Sequence, residues 1–96
     1  MNGARGETSV VMDGIERRLC LTLGALAEIE TAFGCQSLGE LEARMRRLSA
    51  SELMQVLSAL LRGAGESDAA AALQASAVGA GAAAKAVAEA FRAALD

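Results

Sequence analysis

The sequence contains no histidine, proline, tryptophan or tyrosine, and its aromatic side chains are Phe33 and Phe91. Without histidine there is no Ser–His or Cys–His pair for nucleophilic catalysis and no nitrogen ligand to complete a zinc site. Cys20 and Cys35 are too few for a disulfide framework and lack C-x-x-C spacing. We therefore expect both to be small apolar space-fillers, and we predict a protein with no enzymatic activity, metal or cofactor.

Excess positive charge is also lacking, because the net charge of the 96 residues is −3. Arginines cluster at residues 44–47, but acidic residues accompany them and no aromatic is interleaved for base stacking. Glu40 with Arg44 and Glu42 with Arg46 stand four residues apart, which predicts ion pairs on a helix surface. We therefore expect no nucleic-acid partner.

Long apolar segments are absent as well. The longest uncharged run, residues 69–84, is shorter than the ~20 residues of a membrane-spanning helix and consists largely of Ala and Gly. The polar N-terminus lacks the apolar segment that a secretory signal needs. We therefore expect no membrane partner and a cytoplasmic location.

What the sequence does contain begins with an Asp-Gly pair between two alternating segments, in "VVMDGIERRLCL". Asp-Gly favours a two-residue type I′ turn, which places Met12 opposite Ile15 and Val10 opposite Arg17. The pattern predicts a β-hairpin over residues 7–22 with one apolar face. A hairpin is marginal alone, so this face must lie on helices or on another chain, and we expect both strand edges to be open to strand addition.

Helical spacing replaces alternation after the hairpin. Thr22 is a candidate N-cap of the first helix, and Gly34 supplies its end. Ser37 with Glu40, and Ser49 with Glu52, have the spacing of capping boxes that open two further helices. These signals predict a helical core over residues 23–62.

The next segment combines glycines with polar residues and then becomes rich in alanine. Residues 62–68 are predicted to form a loop, with Ser67 or Asp68 capping the following helix. An Ala-rich helix is predicted over residues 69–78, with a break at residues 79–81. The predicted fold class is α+β: one domain with an N-terminal hairpin and four to five short helices, mostly helical.

The last segment carries large apolar side chains at four-residue spacing. Because alanine buries little area, residues 66–96 should form a helical arm that is weaker alone than residues 7–62 and that a partner could complete. Two sets of side chains are candidates for protein interaction. They are Val10, Met12, Ile15 and Arg17 on the hairpin, and Leu73, Val87, Phe91 and Leu95 in the arm.

Several short segments also resemble a known family. They are "RGE" at residues 5–7, "MDG" at 12–14, "LTLGALAEIETAFG" at 21–34, "SL" at 37–38 and "LLRGAG" at 60–65. Together they resemble the gene transfer agent family of small phage-tail proteins, which is similar to the tail assembly chaperones of long-tailed phages. The resemblance covers nearly the whole chain, and "ALAEIE" is its most specific part.

The resemblance implies a protein of a prophage-derived tailed particle encoded in a bacterial chromosome. The implied role is a tail assembly chaperone that holds the tape-measure protein or unassembled tail-tube subunits in the host cytoplasm. One alternative is a structural component of the tail tube or connector, and a second is a small ligand-binding or regulatory domain. Assembly into a homo-oligomer is left open.

Overall fold

The computed structural model describes residues 7–95. Over these residues a β-hairpin is followed by five α-helices, with a short 3₁₀ helix at residues 73–75. The predicted α+β fold class is confirmed. Residues 5 and 6 of the "RGE" segment, and residue 96 of the predicted arm, lie outside the described part. The elements are β1 (Glu7–Met12), β2 (Ile15–Cys20), α1 (Leu23–Phe33), α2 (Leu38–Met45), α3 (Ala50–Gly63), α4 (Ser67–Ala71) and α5 (Ala80–Leu95).

The hairpin has the predicted register. Met12 pairs with Ile15 and Val10 with Arg17 in an antiparallel ladder. Asp13 and Gly14 both have positive φ, 54° and 78°. The type I′ turn needs this conformation at both positions, and Asp and Gly tolerate it better than most residues. The two-residue turn therefore fixes which side chains share a face.

The apolar face of the hairpin lies on helices of the same chain. Val10, Met12 and Leu19 are buried, with α5 packed against β1 and α3 packed against β2. Ile15 shares this face by register but is 53% exposed. The helices therefore cover all of this face of β1 that is apolar and leave the turn end of β2 in solvent.

The two strand edges differ, which corrects the expectation that both are open. On the β2 side, the Arg18 backbone N–H donates to Glu66 Oε2 at 3.0 Å. A methyl group added at Gly63, the last residue of α3, would lie only 2.3 Å from the Cys20 carbonyl oxygen. The end of α3 and the loop after it therefore occupy the β2 edge.

Local capping explains the helix boundaries. Thr22 Oγ1 accepts from the Ala25 N–H at 3.0 Å, and Gly34 ends α1 with φ 68°, as predicted. Ser49 and Glu52 form the complete capping box of α3. At α2 half of the predicted capping box is wrong. The Glu40 carboxylate accepts from the Gln36 N–H at 2.6 Å, not from the N–H of the N-cap residue Ser37.

The Ala-rich region departs most from expectation. The predicted single helix over residues 69–78 is wrong, since α4 ends at Ala71, a 3₁₀ helix follows, and Ser76 is extended. The predicted break at residues 79–81 is also wrong, because α5 begins at Ala80. Alanine favours helix at every position of this segment, so propensity alone does not set the end of the helix. Two hydrogen bonds set it instead: the Ser76 hydroxyl donates to the Ala72 carbonyl, and the Ala77 N–H donates to Asp13 in the hairpin turn.

The predicted loop over residues 62–68 is shorter than expected, because α3 continues through Gly63 and α4 begins at Ser67. Neither Ser67 nor Asp68 caps α4. Glu66 is its N-cap and makes no side-chain capping bond. The carboxylate of Glu66 reaches the hairpin instead, where it also lies 3.6 Å from an Arg17 guanidinium nitrogen.

The core lies around α3, which contacts the hairpin and α1, α4 and α5. Its most completely buried large side chains are Leu19, Ile29, Leu41, Val56, Leu60 and Leu61. On α5 the buried side chains are smaller: Ala83, Ala86, Val87 and Ala90. Over residues 7–95 no helix combines the length and apolar character needed to cross a membrane.

Candidate protein-binding groove

A surface depression of about 650 Å³ lies between α2 and α5, beside the start of α3. We call it the α2–α5 groove. Its volume is within the range of protein sites that take small molecules or side chains. The lining residues are Glu42, Met45, Arg46, Leu48, Leu53, Ala84, Val87, Ala88, Phe91, Arg92 and Leu95.

The α5 wall of the groove follows from the two faces of this helix. Small side chains such as Ala83 and Ala90 are buried, which lets α5 approach β1 and α3 closely. The neighbouring stripe of Val87, Phe91 and Leu95 then faces the groove, at four-residue spacing. Val87 is 2% exposed and Leu95 is 40% exposed, so the stripe runs from the floor to the rim.

The opposite wall consists of Met45, Leu48 and Leu53, which are all partly buried. Arg44 fixes this wall: its guanidinium pairs with Glu52 of α3 and lies 5.0 Å from the centre of the Phe33 ring. The predicted Glu40–Arg44 pair is therefore wrong, because Arg44 bonds across to the next helix. These contacts hold the end of α2 against α1 and α3.

The carboxylate of Glu52 joins the α3 cap to Arg44. The hydrogen bond from the Ser49 backbone N–H is the main cause that lowers the pKa of Glu52, and Arg44 acts in the same direction. The charged form is therefore favoured at neutral pH, where it both completes the cap and binds the arginine.

Three charged side chains, Glu42, Arg46 and Arg92, line the groove. Three ion pairs occur within residues 7–95: Arg17–Glu66, Arg44–Glu52 and Arg62–Glu28. None of them includes Glu42, Arg46 or Arg92, so the predicted Glu42–Arg46 pair is also wrong. The groove thus combines an apolar floor with exposed charges at its rim, an arrangement that receives amphipathic helices in other proteins.

One known protein family has a model that covers nearly the whole chain. The model of the family described as "Phage tail tube protein, GTA-gp10" matches residues 5–96. The chain belongs to this family. Its membership confirms the resemblance of the short segments to gene transfer agent tail proteins. No curated protein and no solved structure matches the chain.

In this tail-family protein the eight candidate interaction residues separate into three groups. Val87, Phe91 and Leu95 come together in the α2–α5 groove. Ile15 is exposed and Arg17 is half-buried beside Glu66. The remaining three are core residues of this chain, and an interaction role for them stays a prediction: Val10, Met12 and Leu73.

Sequence reasoning missed the α2 wall of the groove. Met45 and Leu48 lie on the apolar stripe of the second helix, and Leu53 lies on that of the third. Each stripe alone indicates core packing. These side chains stay partly exposed because α5 lies at a distance from α2. The periodicity of a single helix does not predict that distance.

Side chains with reactive chemistry are few in the tail-family protein. Among residues 7–95 no three His, Cys, Asp or Glu side chains are grouped as metal ligands. Burial, followed by the charge of Glu7, raises the pKa of the Cys20 thiol, which favours the protonated, less nucleophilic form. Cys20 and Cys35 are both half-buried, and Cys35 packs against the core.

Proposed function

We propose that this tail-family protein is a tail assembly chaperone without enzymatic activity, which binds other tail proteins before they enter the particle. The α2–α5 groove carries the proposal: an apolar floor with charged rims is suited to hold a segment of another protein. The tape-measure protein and tail-tube subunits are the partners proposed, in the cytoplasm of the bacterial host.

Two further observations support binding over catalysis. The groove is lined mainly by aliphatic side chains, whereas acid–base chemistry needs titratable groups that converge on one point. A ligand-binding or regulatory role would need several polar groups aimed into a deep pocket. The charged residues of the groove stand at its exposed rim, a position that suits contact with a second surface.

A structural role in the tail tube is the second candidate, favoured by the description of the family as a tail tube protein. Tube subunits must repeat in the finished particle. An assembly chaperone acts on unassembled subunits and is absent from the finished particle, or nearly so. The two functions therefore differ in where the protein is found, not only in what it binds.

The test is quantitative mass spectrometry of two samples from the producing bacterium. One sample is the set of tail proteins that co-purify with the tagged, full-length protein from the cell, and the other is purified mature particles. The chaperone proposal expects tape-measure or tube protein in the first sample and at most traces of this chain in the second. A stoichiometric, repeated presence in mature particles would establish the tube role instead.

A further inference from the structure

The rim of the α2–α5 groove has a charge balance opposite to that of the whole chain. The chain has a net charge of −3. The groove is lined by two arginines, Arg46 and Arg92, and one glutamate, Glu42. All three side chains are exposed. A binding segment therefore meets local positive charge on an otherwise acidic protein.

These two arginines are available for a partner. Neither Arg46, at the C-terminal end of α2, nor Arg92, in the last turn of α5, belongs to an ion pair among the residues described. Positive charge at a helix C-terminus also stabilises the helix itself. A test must therefore separate recognition of a partner from helix stability.

The floor of the groove fits a helix of limited length. Its α5 wall runs from Ala84 to Leu95, which corresponds to about 16 Å along the helix axis. A partner helix of about three turns covers this distance. Large side chains at positions i, i+3 or i+4, and i+7 of that helix would contact Phe91, Leu95 and Leu53.

The described helices of this chain are poor occupants of a second copy's groove. Such an occupant needs several large apolar side chains on one exposed face. The exposed large apolar side chains on helices are one each on α1, α2 and α5, namely Leu23, Leu38 and Leu95. Since Leu95 already lines the groove, a different protein is the better occupant.

We propose that the α2–α5 groove binds an acidic amphipathic helix of another tail protein. Leucine-like anchors of that helix lie on the apolar floor, and its Glu or Asp side chains face Arg46 and Arg92. This inference rests on the proposed chaperone function, because it names the chemistry of the segment that the chaperone holds. A basic helix with the same apolar stripe is disfavoured by the two arginines.

The first probe is a fluorescent 15-residue helical peptide with leucine at i, i+3, i+4 and i+7 and glutamate at the flanking positions. The matched peptide replaces every glutamate with lysine. Titration of the full-length protein at about 0.15 M salt, where exposed charges are partly screened, is followed by anisotropy. The glutamate peptide is expected to bind at least tenfold more tightly, and equal or tighter binding of the lysine peptide overturns the proposal.

The second probe changes the protein. Arg46→Glu with Arg92→Glu should reverse the preference, so that the lysine peptide binds more tightly than the glutamate peptide. A role limited to helix stability would weaken both peptides together and would overturn the proposal. Arg47→Glu, which places the same charge change beside the groove at an exposed position outside its lining, should retain the preference for glutamate.

An apolar pair of variants locates the site. Leu95→Ser should weaken the glutamate peptide at least fivefold, whereas Leu23→Ser, at a side chain that is 82% exposed and outside the groove, should not. Equal effects of the two substitutions would overturn the placement. Formation of a dimer that Leu95→Ser abolishes would assign the groove to a second copy and also overturn the proposal.

The same charge-reversed protein separates this inference from the chaperone function. If wild type retains identified tail proteins in the cell and the Arg46→Glu, Arg92→Glu variant retains them equally well, the groove is not the site, although the chaperone function stands. If wild type retains no tail protein, the chaperone function itself fails. Loss of an identified tail protein in the variant, with retention by Arg47→Glu, supports the groove.

Discussion

Asp13 and Ala77 form a reciprocal pair of hydrogen bonds. The Asp13 N–H donates to the Ala77 carbonyl at 2.9 Å, and the Ala77 N–H donates to Asp13 Oδ1 at 2.8 Å. One residue is in the hairpin turn, and the other is in the segment between the 3₁₀ helix and α5. The turn that closes the hairpin therefore also fixes where the last helix starts.

Replacing Asp13 with alanine should lower the free energy of unfolding by about 2 kcal/mol, because alanine is disfavoured at positive φ and removes the acceptor for Ala77. Asp13→Asn keeps an acceptor oxygen and tolerates this conformation, so its loss should be smaller. Urea unfolding followed by circular dichroism measures both. Equal losses in the two variants would contradict this account of the turn.

Two glycines in helices should respond to alanine in opposite directions. Gly63→Ala brings a methyl group against the Cys20 carbonyl oxygen and should destabilise the protein by about 1–3 kcal/mol through overpacking. Gly81→Ala meets nothing within 4 Å and should stabilise α5 by up to about 1 kcal/mol. Thermal and urea unfolding of both variants give the signs, and a stabilising Gly63→Ala would show that α3 is not held so close to β2.

The Glu52 carboxylate should make the free energy of unfolding depend on pH in the acidic range. Its folded-state pKa lies below the ordinary glutamate value of 4.5, so its contribution is present above about pH 4.5 and is lost as the pH falls through the folded pKa. The difference in unfolding free energy between wild type and Glu52→Gln should therefore be largest near pH 7 and shrink toward pH 3. Glu42→Gln, which removes one exposed negative charge outside any ion pair of the described residues, is the control. A wild-type–Glu52→Gln difference that does not change with pH would contradict the assignment.

Residues 66–95 should be less protected from amide hydrogen exchange than residues 22–62 in the isolated protein. The buried side chains of α5 are mostly alanine, which contribute less burial energy than the leucines of α3. We expect exchange in α5 to be at least about tenfold faster than in α3, and to slow when a tail protein binds. Equal protection in the two segments of the free protein would refute a partner-dependent arm.

Short-range chemistry made the first half of the fold predictable. Asp13-Gly14 specifies both the turn and the register, while Thr22 and Gly34 mark the ends of α1 through bonds within four residues. The Ala-rich segment lacks such signals, because alanine favours helix equally at every position. Its boundaries depend on bonds to residues distant in sequence, as Asp13 and Ala77 demonstrate.

The candidate site was predictable on one wall only. The four-residue spacing of Val87, Phe91 and Leu95 identified the α5 stripe, but a stripe does not reveal its neighbour. Arg44 determines the other wall by bonding to Glu52 and Phe33, although its spacing from Glu40 predicted a pair along its own helix. Sequence spacing identifies only the nearest possible partner, whereas the tertiary arrangement brings a more distant one, Glu52, within reach of Arg44.

The carboxylate of Glu66 on the Arg18 N–H has a consequence for polymerisation. Extension of a sheet through successive copies requires two free strand edges on each subunit, one for each neighbour. With the end of α3 and Glu66 on the β2 side, strand pairing through the described hairpin can join two chains at β1 and then stops. Pairing of this kind gives a closed dimer and cannot build an open fibre. A repeating array of this protein would therefore require contacts other than sheet extension.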